Sequence, residues 1–299
     1  MRILVFTRAH PQFPWMSTFP HVRGHILATH LRQLGEEAEF RALPVEGDYD
    51  VAICADYQGA ARWLASLQRE MKGLTARRMF CMADSGRVSD FLSLPMLDWF
   101  TPRGGVLCHL SKVADLVAGE HYIGVGVEAA VRADPPPERH AVFFDFPRSQ
   151  SNDASRFFSP DGLDAIRRAH PRYRLIGSGP ADSSVQGQFD EWISYGTPHD
   201  EYVLTFARCL AFVPGWRESM GLAVAEAQMA GAAIIAPVGR IRTEMLVPAA
   251  AVIDADPVRG IERATFCDAD RIAREAAERF SAIAMARRVM AAIRDTDGH

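Results

Sequence analysis

Three consecutive prolines, Pro135–Pro137, stand near the middle of a 299-residue chain. Proline fixes φ and has no backbone N–H, so such a run is excluded from a helix interior and from a central strand. Residues 132–140 have the composition of a linker. They divide the chain into a first domain over 1–132 and a second over 141–299, each of ordinary domain size.

Both halves alternate short apolar runs with helical patterns. In the first half, strands are expected at 2–7, Ala38–Leu43, Asp50–Ala55, Arg78–Ala83 and Val106–Ser111. Between them, Val22, Ile26, Leu27, Leu31 and Leu34 recur at helical spacing before Gly35, and Gln58–Met71 is amphipathic. The second half restarts with strands at Ala141–Phe146, Tyr173–Gly177, Leu210–Pro214, Ala232–Ala236 and Ala249–Ile253. Helices are expected at 160–169, Asp200–Arg208 and 220–230, and one long helical stretch runs from Asp268 to Arg294. Strands separated by helices imply parallel sheets, so the expected class is α/β, with two Rossmann-like domains facing a cleft. In such sheets ligands bind beyond the carboxyl ends of the strands.

Composition narrows the function classes. Hydrophobic residues make up 48% and charged residues 23%, which suits a full core and excludes a disordered chain. The net charge of -4 gives no general pull toward polyanions. No run of about 18 apolar residues is present, and the apolar start Ile3–Phe6 is too short for a signal-peptide core. Cys54, Cys81, Cys108, Cys209 and Cys267 form no CxxC pair and read as thiols of a reducing compartment. The expected location is the cytoplasm, with peripheral attachment to the inner membrane as the variant.

The segment Phe212–Gly231 carries the chemistry. A buried strand ends at Pro214, a loop bears Glu218, and a helix opens near Ser219–Gly221 and closes at Gly231 as a C-cap. The free N–H groups of that helix start, at Ser219, Met220, Gly221 and Leu222, suit a phosphate. Glu218 can accept from sugar hydroxyls. Glu226 can accept from the two hydroxyls of a ribose, as acidic residues do in dinucleotide folds. The other reading is an amphipathic helix with two solvated glutamates. The helix is apolar nearly all round, which argues against free solvation of Glu226.

Glu218 and Glu226, eight positions apart in the sequence and followed by Ala227 and Gly231, resemble the EX7E motif of retaining GT-B glycosyltransferases of the GT4-like group. The matching residues are Val213-Pro214-Gly215, Glu218-Ser219-Met220-Gly221, Glu226-Ala227-Gln228-Met229-Ala230-Gly231 and Ile234-Ile235-Ala236. Upstream, Gly177-Ser178-Gly179-Pro180 resembles the family's turn near the donor, and Ile193-Ser194-Tyr195-Gly196 its short strand that reads the nucleobase. Gly24 resembles the glycine before the first helix that faces the donor phosphates. The resemblance implies the GT-B fold, with a C-terminal helix packing back toward the first domain. It implies donor contacts from Gly24, Arg148, Gly177, Gly179, Ser194, Tyr195, Ser219, Met220, Gly221, Leu222 and Glu226, with Glu218 holding the sugar. The implied activity is metal-independent transfer with retention from a nucleoside-diphosphate sugar, UDP- or GDP-linked, with no further cofactor. The acceptor is a glycan, a lipid or a small molecule, with nucleic acid as another option.

The chain departs from the family in two places. No lysine follows Arg148, and Arg156 is the nearest cation. Cys81-Met82-Ala83-Asp84-Ser85-Gly86 stands where the family places a histidine, so Asp84 is the candidate replacement, a turn or cap aspartate being the other reading. A catalytically silent sugar-nucleotide-binding protein, and a transferase acting on a nucleic-acid base, are the alternatives. His10, His21, His25 and His30 cluster near the start, and His21 and His25, four apart, can share a helix face, but a zinc site needs a third ligand and a nearby carboxylate, so His10 or His25 as a donor-site contact is preferred to a metal. Neither a P-loop nor a G-x-S-x-G elbow is present.

Overall fold

In a computed structural model of this chain the described residues are 1–7, 14–55, 61–83, 98–108, 116, 119–128, 138–145, 159–180, 185–194, 197–215, 222–239, 241 and 243–296. They fall into two units, Met1–Glu128 with Phe280–His299, and Ala129–Arg279.

The first unit contains β1 (Arg2–Thr7), α1 (Pro14–Gln33), β2 (Glu37–Ala42), β3 (Glu46–Cys54), α2 (Ala61–Glu70), β4 (Gly73–Ala83), β5 (Gly104–Cys108) and β6 (Glu120–Tyr122). Its sheet runs β2-β1-β3-β4-β5-β6, with every neighbouring pair parallel. Ile3, Leu4, Val5 and Phe6 are all buried. A strand covered on both faces reads as a continuous apolar run rather than an alternating one.

The second unit contains β7 (Ala141–Asp145), α3 (Pro160–Ala169), β8 (Arg174–Gly179), β9 (Glu191–Ser194), α4 (His199–Phe206), β10 (Cys209–Pro214), α5 (Leu222–Met229), β11 (Ala233–Ala236), β12 (Ala251–Ile253), α6 (Pro257–Ala264) and α7 (Ala269–Phe280). Its sheet is also parallel, in the order β12-β11-β10-β7-β8-β9. The chain moves outward from β7 through β9, then returns to the other side of β7 at β10. The direction of winding therefore reverses between β7 and β10, where parallel sheets bind ligands.

The long tail helix expected over 268–294 is two helices. Ser281 adopts an extended conformation (φ -64, ψ 147), and its side chain accepts from Ala284 N at the start of α8 (Ala282–Asp295). A hydroxyl at this position satisfies an N–H the helix cannot use itself, so the chain restarts instead of continuing. Around the break, Val127 N donates to Phe280 O and Ala282 N to Val127 O. Met285, Ala286, Val289, Met290 and Ile293 of α8 then join the core formed by Ile3, Val5, Leu27, Leu31, Ile53 and Phe80. Each large side chain buried this way contributes about 1.5–3 kcal/mol. Arg78 of β4 donates to Ile293 O and Thr296 Oγ1 at the carboxyl end of α8, where a cation meets the helix dipole favourably. The last helix thus packs on the first unit.

Helix α6 is not among the expected elements. Its signal is Asp256-Pro257: the Asp256 side chain accepts from Val258 N and Arg259 N, with Pro257 in the first turn. No described helix is long and apolar enough to cross a membrane.

Candidate functional site

The second sheet places a group of polar residues at the carboxyl ends of its strands. Asp145 ends β7 and pairs with Ser178, whose hydroxyl donates to Asp145 Oδ1 at 2.7 Å. Gly179, the last residue of β8, pairs with Ser194, the last of β9. Pro214, which ends β10, pairs with Asp145. Asp145, Ser178, Gly179, Ser194 and Pro214 therefore form one edge, and two of them, Gly179 and Ser194, are among the residues expected at the donor.

Helix α5 follows β10 and opens at Leu222. Val224, Ala225 and Ala227 are fully buried, and Glu226 lies among them at 4% exposure. A buried carboxylate needs a partner. Glu226 finds it in His199, whose Nε2 lies 3.0 Å from Oε1. His199 heads α4, and its side chain remains 62% exposed. The hydrogen bond to Glu226 raises the pKa of His199 above 6.5, against the opposing effect of burial.

Aromatic packing puts His199 where it is. Tyr202 and Phe206, one turn apart on α4, stack on Phe143 of β7 with centroids at 5.5 and 5.2 Å. Phe206 also meets Phe212 of β10 at 5.3 Å. This cluster seats α4 over the β7–β10 pair.

Helix α5 is held on another side by Gln228, which is fully buried. Its amide donates to Val224 O at 2.9 Å and to Met245 O at 2.8 Å, and its oxygen accepts from Val247 N at 2.8 Å. Glu226 and Gln228 are two residues apart, about 200° around the helix, so the helix is gripped from both flanks. Its end is closed by Gly231 (φ +84). Gly231 N donates to Gln228 O and Ala232 N to Ala227 O, a Schellman arrangement. Arg139, from the linker, donates to Ala230 O and Cys209 O and so joins α5 to β10.

The remaining expected residues divide as follows. Glu218, Asp84, Arg148, Tyr195, Ser219, Met220 and Gly221 lie outside the described residues, as does His10. Gly24 lies inside α1 rather than before it, because the helix begins at Pro14. A side chain there would come within 2.4 Å of the Phe40 ring, so Gly24 lets α1 approach β2. Gly177 lies within β8, under Trp192 and Phe189, where an added Cβ would meet their rings at 2.5 and 2.8 Å. Both glycines therefore have a packing reason of their own. His25 is exposed and stands edge-on to Phe40.

Four of the five cysteines are buried, and burial pushes the Cys209 thiol up to about 12, so it is no nucleophile at neutral pH. Among the described residues, no group of three or more histidines, cysteines and carboxylates is placed to hold a metal. His199, Asp145, Gln228 and Arg139 are absent from the expected site. Pro198-His199 opening an acidic helix turn, and Asp145 closing an apolar strand, were the signals available.

No family model and no curated protein matches this chain. Solved structures do. The lipopolysaccharide outer core galactosyltransferase WaaB in its apo form superposes with a TM-score of 0.61 at 14% identity, over 99% of this chain and 100% of that one. HepE of Anabaena in complex with UDP and glucose gives 0.61 at 13%, with the same coverage. Sucrose-phosphate synthase from Thermosynechococcus elongatus gives 0.57 at 12%, over 100% of this chain and 99% of that one. This chain has the GT-B fold. In GT-B terms, the edge at Asp145, Gly179 and Ser194 and the helix bearing Glu226 belong to the second of its two Rossmann-like units.

Proposed function

We propose that this protein is a retaining glycosyltransferase that moves a sugar from a nucleoside diphosphate, UDP or GDP, to an acceptor hydroxyl without a metal ion. Glu226 carries the proposal. A carboxylate at 4% exposure, on the helix that follows the strand at the winding reversal, suits a ribose diol. The complex of HepE with UDP and glucose supports a uridine donor.

In the reaction, the bond from the anomeric carbon to the diphosphate oxygen breaks and a bond to the acceptor oxygen forms. The acceptor proton leaves with the diphosphate. Charge developing on the leaving group is the main electrostatic demand. The resemblance assigns that demand to Arg148 and to the N–H groups of Ser219, Met220, Gly221 and Leu222. It assigns the sugar to Glu218, and Asp84 stands for the missing histidine. Gly179 and Ser194 serve the base end of the donor. The acceptor class is a glycan, a lipid or a small molecule, and the compartment is the cytoplasm.

A second reading, a sugar-nucleotide-binding protein without turnover, is favoured by one observation. The only lysines are Lys72 and Lys112, so residues 129–279 contain none to neutralise a diphosphate.

The test is a thermal-shift series with UDP, GDP, ADP, TDP and CMP and their sugar conjugates, followed by donor turnover. A ligand bound only by the folded state raises Tm. One nucleotide that raises Tm in the unmodified protein but not in Glu226→Ala supports the site, and turnover separates the two readings. An unchanged shift in Glu226→Ala refutes the role of Glu226.

A further inference from the structure

We infer that His199 is a positioning residue for donor binding: it fixes the plane of the Glu226 carboxylate so that both oxygens meet a ribose diol. The inference rests on the reading of Glu226 given above.

Glu226 is almost fully covered, and its neighbours Val224, Ala225 and Ala227 offer no hydrogen bond from their side chains. Left alone, its carboxylate would rotate about its last torsion, which is broad and roughly two-fold. A diol needs both oxygens in one orientation. His199 Nε2 at 3.0 Å from Oε1 fixes that orientation from the side. Each carboxylate oxygen has two lone pairs, so Oε1 accepts from the imidazole and still has one for a hydroxyl.

The imidazole is itself well placed. It stands on the first turn of α4, which the Phe143, Phe206 and Phe212 cluster anchors to the sheet. A cation at a helix N-terminus works against the dipole. Asp200 beside it and Glu226 across from it offset that cost, and both bear on the histidine electrostatically. Glu201 lies in the same turn. From the sheet, the titratable residue of β10 is Cys209, which stays neutral, and that of β7 is Asp145. No arginine or lysine lies on α5 or β10 to compete for Glu226.

The experiment measures the affinity of UDP and of GDP by calorimetry for the full chain and four variants. A Gln side chain places an N–H close to where imidazole Nε2 stands, whereas Asn falls short. The expected result is about tenfold weaker binding in His199→Ala and His199→Asn, the loss of one hydrogen bond to a charged group. His199→Gln is expected to restore affinity to within about threefold, a rescue that a merely structural role would not produce. The melting temperature without nucleotide checks that each variant is folded. If His199→Ala binds as well as or better than the unmodified protein, the positioning role is overturned. The same holds if Gln and Asn weaken binding equally. Glu226→Ala separates this inference from the reading beneath it. If that variant loses binding while His199→Ala does not, only His199 is misassigned. If the unmodified protein binds neither nucleotide, or Glu226→Ala binds normally, the donor reading falls, and this inference with it.

Discussion

His199 Nε2 lies 3.0 Å from Glu226 Oε1, joining the first turn of α4 to the middle of α5. The histidine pKa is raised above 6.5 by that hydrogen bond, with burial opposing. A group whose pKa is higher folded than unfolded stabilises the fold fully below the unfolded value and ceases to do so above the folded one. The stability that imidazolium adds is therefore complete below about pH 6.5 and is lost as pH rises through the raised value. Because the side chain is 62% exposed, the effect is small, under about 1 kcal/mol. Melting curves of the unmodified protein and His199→Gln should differ most near pH 5.5 and converge as pH rises through the raised value. A gap that widens with rising pH contradicts the pairing.

Gln228→Leu keeps the volume of the side chain and removes its polar end. Met245 O and Val247 N, both bonded to Gln228, then lose that partner inside the unit. The expected loss is about 2–4 kcal/mol, visible as a fall of roughly 5–15 °C in Tm. Denaturant unfolding with an unchanged m-value would identify it as a stability effect. A loss under about 0.5 kcal/mol would mean the bonds are replaced by water.

Gly231 has φ +84, and a Cβ there would stand 2.5 Å from Ala269 O and 2.7 Å from an Arg139 nitrogen. Gly231→Ala should therefore cost more than about 1 kcal/mol from backbone strain alone. The clash with Ala269 O adds to it, because backbone cannot swing aside as a side chain can. Chemical denaturation measures it, and an unchanged midpoint would contradict the close approach.

The two glycines of β8 should separate by phenotype. Gly177→Ala pushes into Trp192 and Phe189 and should lower Tm, by the cost of overpacking, about 1–3 kcal/mol. Gly179 is at the strand end beside Ser194. Gly179→Ala should weaken nucleotide binding more than Gly177→Ala does. Calorimetry beside melting curves reads both, and the reverse pattern would exchange the two roles.

The parallel sheets were legible because a strand buried on both faces, such as Ile3–Phe6, leaves an unbroken apolar run. Gly231 was legible as a cap, since a helix end needs a residue that tolerates positive φ. Burial of Glu226 followed from the apolar residues on every side of it. Its partner did not: residues 199 and 226 meet through the packing of two helices, and no local pattern encodes that pair. Gly24 and Gly177 show a related limit. A glycine motif looks the same whatever lies beside it, and the packing reason that Phe40 gives Gly24, and Trp192 and Phe189 give Gly177, is visible only in the fold. The tail reads as one helix because Ser281 is a tolerable helix residue by propensity, and only its hydroxyl bond to Ala284 N marks the restart.

That restart bears on how the molecule is made. Domains usually fold as they leave the ribosome, the earlier ones first. The residues of α8 that close the core around Ile3 and Phe80 are synthesised after the whole of the second unit. Until then the apolar face on which Leu27 and Leu31 of α1 pack lacks its second covering helix, so a ribosome stalled before residue 282 holds a first unit with an unfinished core when every residue of the second has been synthesised.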